Sequence, residues 1–407
     1  TSEILLIVYM VQTGFYNLSK FRTLGDVEQQ KVWNEAKSLY EYVDGDRSLI
    51  ILLYGIVTLS LILVFFLIAK SSLKQAYRLE CQSKKGEQIL TLKQELKELL
   101  NGNLPITLLT FPVLGVLMFT ILPLVFMISM AFTNYSVEGN KLVLFDWVGL
   151  ENFRKIFDFG DSLGQTFWSV FGWTMVWAVV ATFSNYILGM LLALFINWKE
   201  IRAKKMWRFC FALTVAIPHF VTLLIIKSML QPEGAVNILL RNLGLIGATQ
   251  SLPFFTDATW ARVVVILINI WVGVPYTLLQ VTGILQNIPT ELYEAARVDG
   301  AGPIVTFMKI TLPYMLFVTT PYLITTFTGN VNNFNVIFLT TEGLPRSVGS
   351  TAGKTDLLIT WLYKLTIENQ YFDVGAVVGI MTFVTLTIVS LVTFTFSGSN
   401  RNEEAFR

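Results

Sequence analysis

Charged residues are scarce in this chain of 407 residues. They make up 14% of the sequence, whereas a soluble globular chain carries about 25%. The scarcity comes from long apolar runs, and 54% of the residues are hydrophobic. This composition is typical of a protein whose solvent is the lipid bilayer. The formal net charge of +2 gives no electrostatic reason to expect nucleic acid as a partner.

Histidine and cysteine are almost absent. The single histidine excludes a histidine-rich metal site. Cys81 and Cys210 lie beside basic segments that we assign to the cytoplasm, so we expect reduced thiols and no structural disulfide. We recognise no signal peptide with a cleavage site. Because the sequence begins at Thr1 inside an apolar stretch, we expect a native N-terminus further upstream.

Long apolar runs are abundant. A spanning helix needs roughly 20 mostly apolar residues, and eight runs qualify, although the first is short. The sequence therefore predicts an all-α polytopic membrane protein with about eight transmembrane helices. The predicted spans are 4–18, 49–69, 104–131, 166–197, 209–230, 262–287, 310–340 and 372–396.

Basic residues in the loops predict the orientation, because cytoplasmic loops are enriched in Lys and Arg. The stretch 70–103 carries seven of them and 198–208 carries five, whereas 132–165 has three and 231–260 has one. The two basic stretches are assigned to the inside, which places both termini in the cytoplasm. The loop 19–48 carries five basic residues, but six acidic residues accompany them.

Two further segments show helical spacing of apolar residues without the length of a span. They are 27–43 and 87–100. Each is predicted to be a short helix, either at the membrane surface or in a packed connector.

The loop between the sixth and seventh spans has the features of a short, capped helix. Pro289 opens it at a position where the missing N–H costs nothing. Glu291 and Glu294 favour its positive end, and Gly300 provides a left-handed C-terminal residue. Such a helix suits docking into a groove of another protein. Considered alone, the segment fits an ordinary connector better.

The residues of this loop and those after it carry a family likeness. Glu294-Ala295-Ala296, then Gly300, then Ile310-x-Leu312-Pro313 resemble the EAA signature of ABC-importer permeases. In that family this helix is the coupling helix, which inserts into a cleft of a cytoplasmic ATPase subunit. The resemblance implies a coupling helix at 288–302. It assigns ATPase coupling to Glu294, Ala295, Ala296, Asp299 and Gly300.

The stretch 349–355 ends in Gly-Lys-Thr and superficially resembles a Walker A loop. That motif needs a glycine five residues before the glycine of Gly-Lys-Thr, and Val348 occupies that place. No buried strand precedes the stretch, and it lies on the predicted outer side. We therefore expect a loop that touches a partner or a solute there, and no nucleotide site.

Polar residues inside two spans fall on single helix faces. Intramembrane polar residues are costly and often functional. Amides and hydroxyls both donate and accept hydrogen bonds, which matches a neutral, hydroxyl-rich solute such as a sugar. The spacing alone is explained equally well if these residues hold neighbouring helices together instead of binding a sugar. The faces comprise Thr326, Gly329, Asn330 and Asn333 in the seventh span, and Asn269, Val272, Gly273, Tyr276 and Gln280 in the sixth.

From about residue 104 to 396 the chain resembles the larger, MalF-type membrane subunit of maltose/maltodextrin transporters. Two extra spans before a six-helix core of the type I importer fold mark that subunit, and they match 4–18 and 49–69. The resemblance implies three regions. These are an N-terminal transmembrane extension with a cytoplasmic amphipathic segment (1–103), the permease core (104–396) and a cytoplasmic tail (397–407).

In that family the sugar lies about halfway across the membrane, between a Gly-x-Pro-Tyr segment and an Asn-rich segment of the next span. Here these are 273–276 and 327–334. Members of that family have an aromatic residue at the position of Gly329. Its absence here means that the resemblance does not predict how the sugar stacks or how long it is. The outer loop 132–165 is far shorter than the folded periplasmic domain of the best-known relatives. The positions implied to bind sugar are Val272, Gly273, Tyr276, Thr326, Gly329, Asn330 and Asn333.

The resemblance also implies partners and a mechanism. The partners are a second, MalG-type permease subunit, two cytoplasmic ATPase subunits, an extracellular solute-binding protein and membrane lipid. No cofactor is expected in this chain, since the ATPase subunits bind ATP and magnesium. The expected function is inward oligosaccharide transport by alternating access across a bacterial plasma membrane. Maltose or maltodextrin is the first expectation, with raffinose-type or uronate-type sugars as the alternative.

Two other classes of protein fit the sequence less well. A secondary carrier would need buried carboxylates, and the spans at 104–131, 166–197, 263–287 and 310–340 contain no Asp or Glu. A membrane-bound enzyme would need a reactive group of residues, and the uncharged span interiors offer none.

Overall fold

The computed structural model describes most of the chain, and the described residues are mainly helical. They are 2–28, 30–43, 45–86, 94, 97, 101–102, 104–198 and 200–396. The predicted tail 397–407 and nearly all of the predicted helix 87–100 lie outside them.

Helices and a pair of strands make up the described residues up to 157. The helices are α1 (Ser2–Tyr9), α2 (Phe15–Lys20), α3 (Ser48–Lys84), α4 (Leu104–Val116), α5 (Leu122–Met130) and α6 (Glu151–Phe157). The strands are β1 (Gln30–Asn34) and β2 (Leu39–Val43). π-helical turns at Met10–Gly14 and Leu117–Ile121 join α1 to α2 and α4 to α5, and a 3₁₀ turn spans Glu138–Asn140.

Further helices follow in the described residues from 162 to 396. They are α7 (Ser162–Asn197), α8 (Lys204–Ala216), α9 (His219–Met229), α10 (Ala235–Asn242), α11 (Ala258–Leu285), α12 (Thr290–Val298), α13 (Pro303–Thr306), α14 (Leu312–Val331), α15 (Phe334–Thr340), α16 (Leu358–Tyr363) and α17 (Phe372–Phe396). π-helical turns at Phe307–Thr311 and Lys364–Glu368 follow α13 and α16.

Six helical stretches in the described part of the chain are long and apolar enough to cross a membrane. A seventh candidate is the pair α8 and α9, which is bent by 85°. The bend falls before Pro218, whose ring cannot continue a helix. The predicted first span, 4–18, is helical from Ser2 to Lys20 but is not among the six. The predicted polytopic helical fold is therefore confirmed, with fewer clear spans than eight.

Helix α3 is much longer than its predicted span of 49–69, because it continues to Lys84. Its 37 residues correspond to about 55 Å at 1.5 Å per residue. A bilayer core is about 30 Å thick, so the basic C-terminal part of α3 extends beyond the apolar run. Straight-chain basic residues are good helix formers, which explains why the charge does not end the helix.

The helix predicted at 27–43 is wrong, because this segment is an antiparallel hairpin of β1 and β2. The register pairs Trp33 with Tyr40 and Asn34 with Leu39. The two aromatic rings of the first pair meet edge to face at 5.0 Å between centroids. Ser38 adopts a left-handed conformation with φ of 53°, which closes the turn. Aromatic and β-branched residues on both strands stabilise cross-strand pairing. This stabilisation outweighs the helical preference that the apolar spacing indicates.

Contacts between residues group the chain into two compact units. Residues 1–154 and 369–377 form the first unit, and 155–368 with 378–407 form the second. The division predicted between 103 and 104 rests on family likeness and stays a prediction. The core of the first unit includes Leu24, Leu52 and Phe145.

A buried carboxylate joins the ends of α2 and α3 in the first unit. Asp46 accepts hydrogen bonds from Lys20 Nζ at 2.6 Å and from Tyr16 Oη at 2.8 Å. Burial raises the pKa of Asp46, but the hydrogen bonds from Lys20 and Tyr16 outweigh it, so the pKa is held below its usual range. Ionised Asp46 therefore stabilises the folded unit.

This carboxylate predicts a pH dependence of stability. Asp46 contributes fully above its unfolded pKa, near 4, and the contribution is lost as the pH falls through the lower folded-state pKa. Asp46→Asn should therefore lower the melting temperature at pH 7, and the difference from wild type should shrink in acid. Asp26→Asn is the matched control, because Asp26 also contacts Lys20, at 3.4 Å, but is exposed. Equal melting temperatures of Asp46→Asn and wild type at pH 7 would contradict the assignment.

Helices α7 and α11 pack closely in the second unit. An added Cβ at Gly189 of α7 would lie 2.7 Å from the side chain of Thr277 on α11, so only glycine permits this approach. Two apolar clusters lie along these helices. One includes Trp177, Leu223 and Ile268, and the other includes Met190, Leu278 and Met315.

Candidate functional site

The Gly-x-Pro-Tyr segment lies inside α11. Pro275 is accommodated within the helix. Val274 and Pro275 are buried, whereas the Tyr276 side chain is 47% exposed and lies on another side of the helix. Val272 and Gly273 are half-buried. The segment therefore packs one side into the protein and leaves the Tyr276 ring available to a ligand or a partner.

The Asn-rich segment lies at a break between α14 and α15. Helix α14 ends at Val331, and Asn333 caps α15 by accepting a hydrogen bond from the Val336 amide at 3.2 Å. Broken helices inside a membrane are tolerated where the freed backbone groups are buried in protein or line a cavity. Asn332 remains exposed at this break. The arrangement places backbone and amide groups together within a predicted span.

Two side-chain hydrogen bonds hold the Gly-x-Pro-Tyr and Asn-rich segments beside each other. Thr277 and Tyr322 share a bond of 3.0 Å, and Asn333 Nδ2 donates to Asn269 Oδ1 at 3.3 Å. Residue numbers rise along α11 while they fall along α14 and α15, so the segments run antiparallel. On α11 the two bonds flank the segment 273–276, and Asn333 itself belongs to the Asn-rich segment 327–334. The structure thus brings together the two faces that the sequence singled out.

The predicted residues of the Asn-rich segment have different surroundings. Asn330 is buried against α7, where its Nδ2 donates to Thr182 Oγ1 at 2.9 Å and its carbonyl accepts from Trp177 Nε1 at 3.0 Å. Thr326 is half-buried. Gly329 is exposed, and a Cβ there would meet nothing within 4 Å. The absent aromatic ring at Gly329 therefore leaves open space, and the sugar-binding role of these positions stays a prediction.

Helix α7 contributes polar groups that the sequence analysis did not single out. Thr182 bonds to Asn330, and Asn185 lies against Gly273. Both are buried polar residues in a long apolar helix, which is the signal that could have identified them. The candidate site therefore draws on three parts of the chain rather than two.

The predicted coupling helix is confirmed as a helix with the expected ends. Pro289 precedes α12, and Gly300 follows it with φ of 75°. The Ala301 amide donates to the Ala296 carbonyl at 2.8 Å and the Gly300 amide donates to the Arg297 carbonyl at 3.1 Å, which closes the helix with a left-handed residue. Tyr293 bonds to Thr311 at 3.1 Å and ties α12 to the following helical segment.

The surface of α12 is open. Among the predicted coupling residues, Ala296 is buried, and Glu294, Ala295, Asp299 and Gly300 are exposed. Val298 is 88% exposed beside them. A cleft of about 1030 Å³ runs beside the helix and includes Glu294 and Arg297 in its lining. Exposed apolar residues beside a concave surface are typical of a site where another protein docks.

The stretch 349–355 is folded against its own neighbours. Lys354 donates its backbone N–H to the Pro345 carbonyl at 2.8 Å, and its own carbonyl accepts from Arg262 Nε at 3.0 Å. Helix α16 begins only at Leu358, so no helix N-terminus follows Gly-Lys-Thr as a phosphate loop requires. The geometry agrees with the expectation that this loop is no nucleotide site.

Comparison with known proteins gives a consistent result. The family described as "Binding-protein-dependent transport system inner membrane component" matches residues 185–400. The galactooligosaccharides transport system permease protein GanP of Bacillus subtilis is 34% identical over 96% of this chain and 92% of its own length. The maltodextrin permease MdxF of the same organism is 37% identical over 88% and 84%. The maltose/maltodextrin permease MalF of Escherichia coli is 36% identical over 60% and 48%.

Solved structures share the fold. A chain of a bacterial ABC transporter involved in the import of the acidic polysaccharide alginate superposes with a TM-score of 0.61. The match covers 76% of this chain and 99% of that chain at 22% identity. A chain of a bacterial alginate ABC transporter in complex with an alginate pentasaccharide-bound periplasmic protein gives a TM-score of 0.60 at 22% identity, over 76% of this chain and 98% of that chain.

Proposed function

We propose that this chain carries maltodextrins inward across the membrane. It belongs to the family of binding-protein-dependent ABC importer permeases and is a membrane permease subunit for sugars. Its relatives are transport subunits rather than enzymes. One observation carries the proposal. Neutral amide, hydroxyl and aromatic groups of α11, α14 and α15 lie together at a helix break within predicted spans.

The chemistry of these groups supports a neutral sugar. The candidate positions include amides, one threonine hydroxyl and the Tyr276 ring, but neither Lys nor Arg. A uronate polymer carries a carboxylate on each unit, and its recognition would require basic groups. We therefore favour a neutral oligosaccharide over a uronate. MdxF supports an α-glucan, whereas GanP makes a galactooligosaccharide the second candidate.

The transport cycle that we propose uses both candidate sites of this chain. An extracellular binding protein delivers the sugar to the outward-open cavity beside Tyr276. The exposed end of α12, from Glu294 to Gly300, docks into one of two cytoplasmic ATPase subunits, which bind ATP and magnesium. Closure and reopening of those subunits move α12, and Tyr293 passes this motion to the next span through Thr311. A second permease subunit completes the pathway, and both termini face the cytoplasm of a bacterial plasma membrane.

Replacement of Tyr276 tests the sugar site. Tyr276→Ala should reduce the initial rate of maltotriose uptake by up to about tenfold, because aromatic stacking contributes about 0.5–1.5 kcal/mol and 1.4 kcal/mol corresponds to a factor of ten. Uptake is measured in proteoliposomes that contain the complete transporter, and assembly is checked by co-purification of the subunits.

The control variant is Trp271→Ala, which removes a more exposed aromatic ring from the same helix. Trp271 is 70% exposed and lies five residues, or about 140° around the helix, from Tyr276. It should leave the rate of uptake near wild type. If Tyr276→Ala transports maltotriose like Trp271→Ala, the cavity assignment is wrong. Uptake of galactosyl but not glucosyl oligosaccharides by wild type would favour the second candidate.

A further inference from the structure

The bare Cα of Gly273 is covered by a side chain from another helix. An ideal Cβ at residue 273 would meet Nδ2 of Asn185 in α7 first, and it would lie 2.7 Å from Cγ and 3.0 Å from Oδ1 of the same amide. The amide of Asn185 therefore fills the space that a side chain at 273 would occupy. A solute that reaches residue 273 meets this amide, because glycine has no side chain of its own to present.

The Asn185 amide also has an unused acceptor. Asn185 is 5% exposed, and its Oδ1 has no hydrogen-bond partner among the described residues. Most buried polar atoms are hydrogen-bonded, and one that is not costs free energy. A ligand that donates a hydrogen bond would remove this cost.

A complementary unused donor lies one helical turn away. Asn269 precedes Gly273 by four residues on α11 and shares its face. Its Oδ1 accepts from Asn333, but its Nδ2 has no partner within the described chain. A sugar hydroxyl is both a donor and an acceptor. The face around Gly273 therefore offers one group of each kind, which suits a hydroxyl and not an apolar or a purely anionic ligand.

We propose that Asn185 binds a hydroxyl group of the transported sugar through Oδ1 and is a specificity-determining residue at Gly273. This inference rests on the proposed sugar-transport function and adds a third helix to the binding site. In the conformation described, Oδ1 is covered. The sugar reaches it when α7 and α11 separate around Gly273. The stereochemistry of the hydroxyl that meets Asn185 then decides which sugar is accepted.

The test compares two uptake parameters for two sugars. The complete transporter is reconstituted with wild-type chain, with Asn185→Leu, which keeps the branched shape but no polar atom, and with Asn185→Ala, which adds no bulk. KM and Vmax are measured for maltotriose and galactotriose. We expect KM for the preferred sugar to rise about tenfold, the change that 1.4 kcal/mol of binding free energy produces. Vmax should stay within about twofold, and the preference between the two sugars should narrow.

Two further variants separate sugar binding from helix packing. Thr282→Val is the matched control, because Thr282 of α11 is also 5% exposed and its Oγ1 is also without a partner in the described residues. It lies beyond the site and should leave KM unchanged. Asn185→Ser retains a hydroxyl acceptor and should recover part of the wild-type KM.

The outcomes distinguish a sugar-binding role of Asn185 from a packing role. If Asn185→Leu and Asn185→Ala keep the wild-type KM and sugar preference, Asn185 is a packing residue and this inference is overturned, while the proposed function stands. A lower Vmax with unchanged KM in both variants would also identify Asn185 as a packing residue. If the wild-type transporter imports neither trisaccharide, the proposed function falls as well.

Discussion

Gly300→Val should reduce ATP-driven sugar uptake at least tenfold while the transporter still binds sugar and assembles. Gly300 ends the coupling helix with φ of 75°. Left-handed conformations cost non-glycine residues about 1–2 kcal/mol, and β-branched residues are disfavoured there most strongly. Valine would therefore unwind or shift the last turn of α12 and displace Asp299, which follows it. No neighbour lies within 4 Å of a Cβ at 300, so the effect comes from the backbone and not from a clash.

Two controls isolate the coupling role. Gly86→Val introduces the same residue at a glycine that follows α3, also with φ of 75° and also without a neighbour within 4 Å. It should leave uptake unchanged. Gly300→Asn should retain much of the activity, since asparagine tolerates this conformation. Uptake, sugar binding and ATP hydrolysis are measured on the same reconstituted samples. Wild-type uptake by Gly300→Val would refute the docking of α12 to an ATPase subunit.

Asp356→Ala should destabilise the second unit by about 3–5 kcal/mol, the cost of leaving one member of a buried ion pair alone. Asp356 Oδ2 lies 2.7 Å from Lys364 Nζ, and their side chains are 0% and 7% exposed. Asp356 also accepts from the Gly353 amide at 2.7 Å and from Thr360 Oγ1 at 2.9 Å. Its removal leaves the Lys364 ammonium buried without its counter-ion and takes away the acceptor of the Gly353 amide. The thermal unfolding of the purified complex in detergent measures the loss.

The double variant and a surface pair provide the comparison. Asp356→Ala combined with Lys364→Met removes both charges and should recover most of the lost stability. Lys37→Ala breaks a solvent-exposed ion pair with Glu41, of equal length at 2.7 Å, and should leave the melting temperature close to that of wild type. If Asp356→Ala lowers the melting temperature as little as Lys37→Ala does, the buried ion pair of Asp356 and Lys364 does not stabilise the second unit.

Local patterns predicted the elements whose signal is contained in a short stretch of sequence. Apolar length predicted α7, α11 and α17 as spans within a few residues. The two ends of α12 were predictable, because the fixed φ of Pro289 and the conformational freedom of Gly300 act on the backbone at their own positions. The segment 27–43 was predicted incorrectly for the same reason. Its apolar spacing fits a helix, and only the pairing of Trp33 with Tyr40 across the hairpin decided otherwise.

The sequence by itself determined that this chain is a polytopic membrane protein with a short, capped helix between the sixth and seventh predicted spans, since both conclusions follow from residues close together in the chain. The tertiary structure alone decided which polar groups meet. Asn185 covers Gly273 from a different helix, Asn330 turns toward Thr182, and Asp356 pairs with Lys364. Residue spacing fixes the face of one helix but not the rotation of that helix against its neighbours, and that rotation is set by packing along the whole interface.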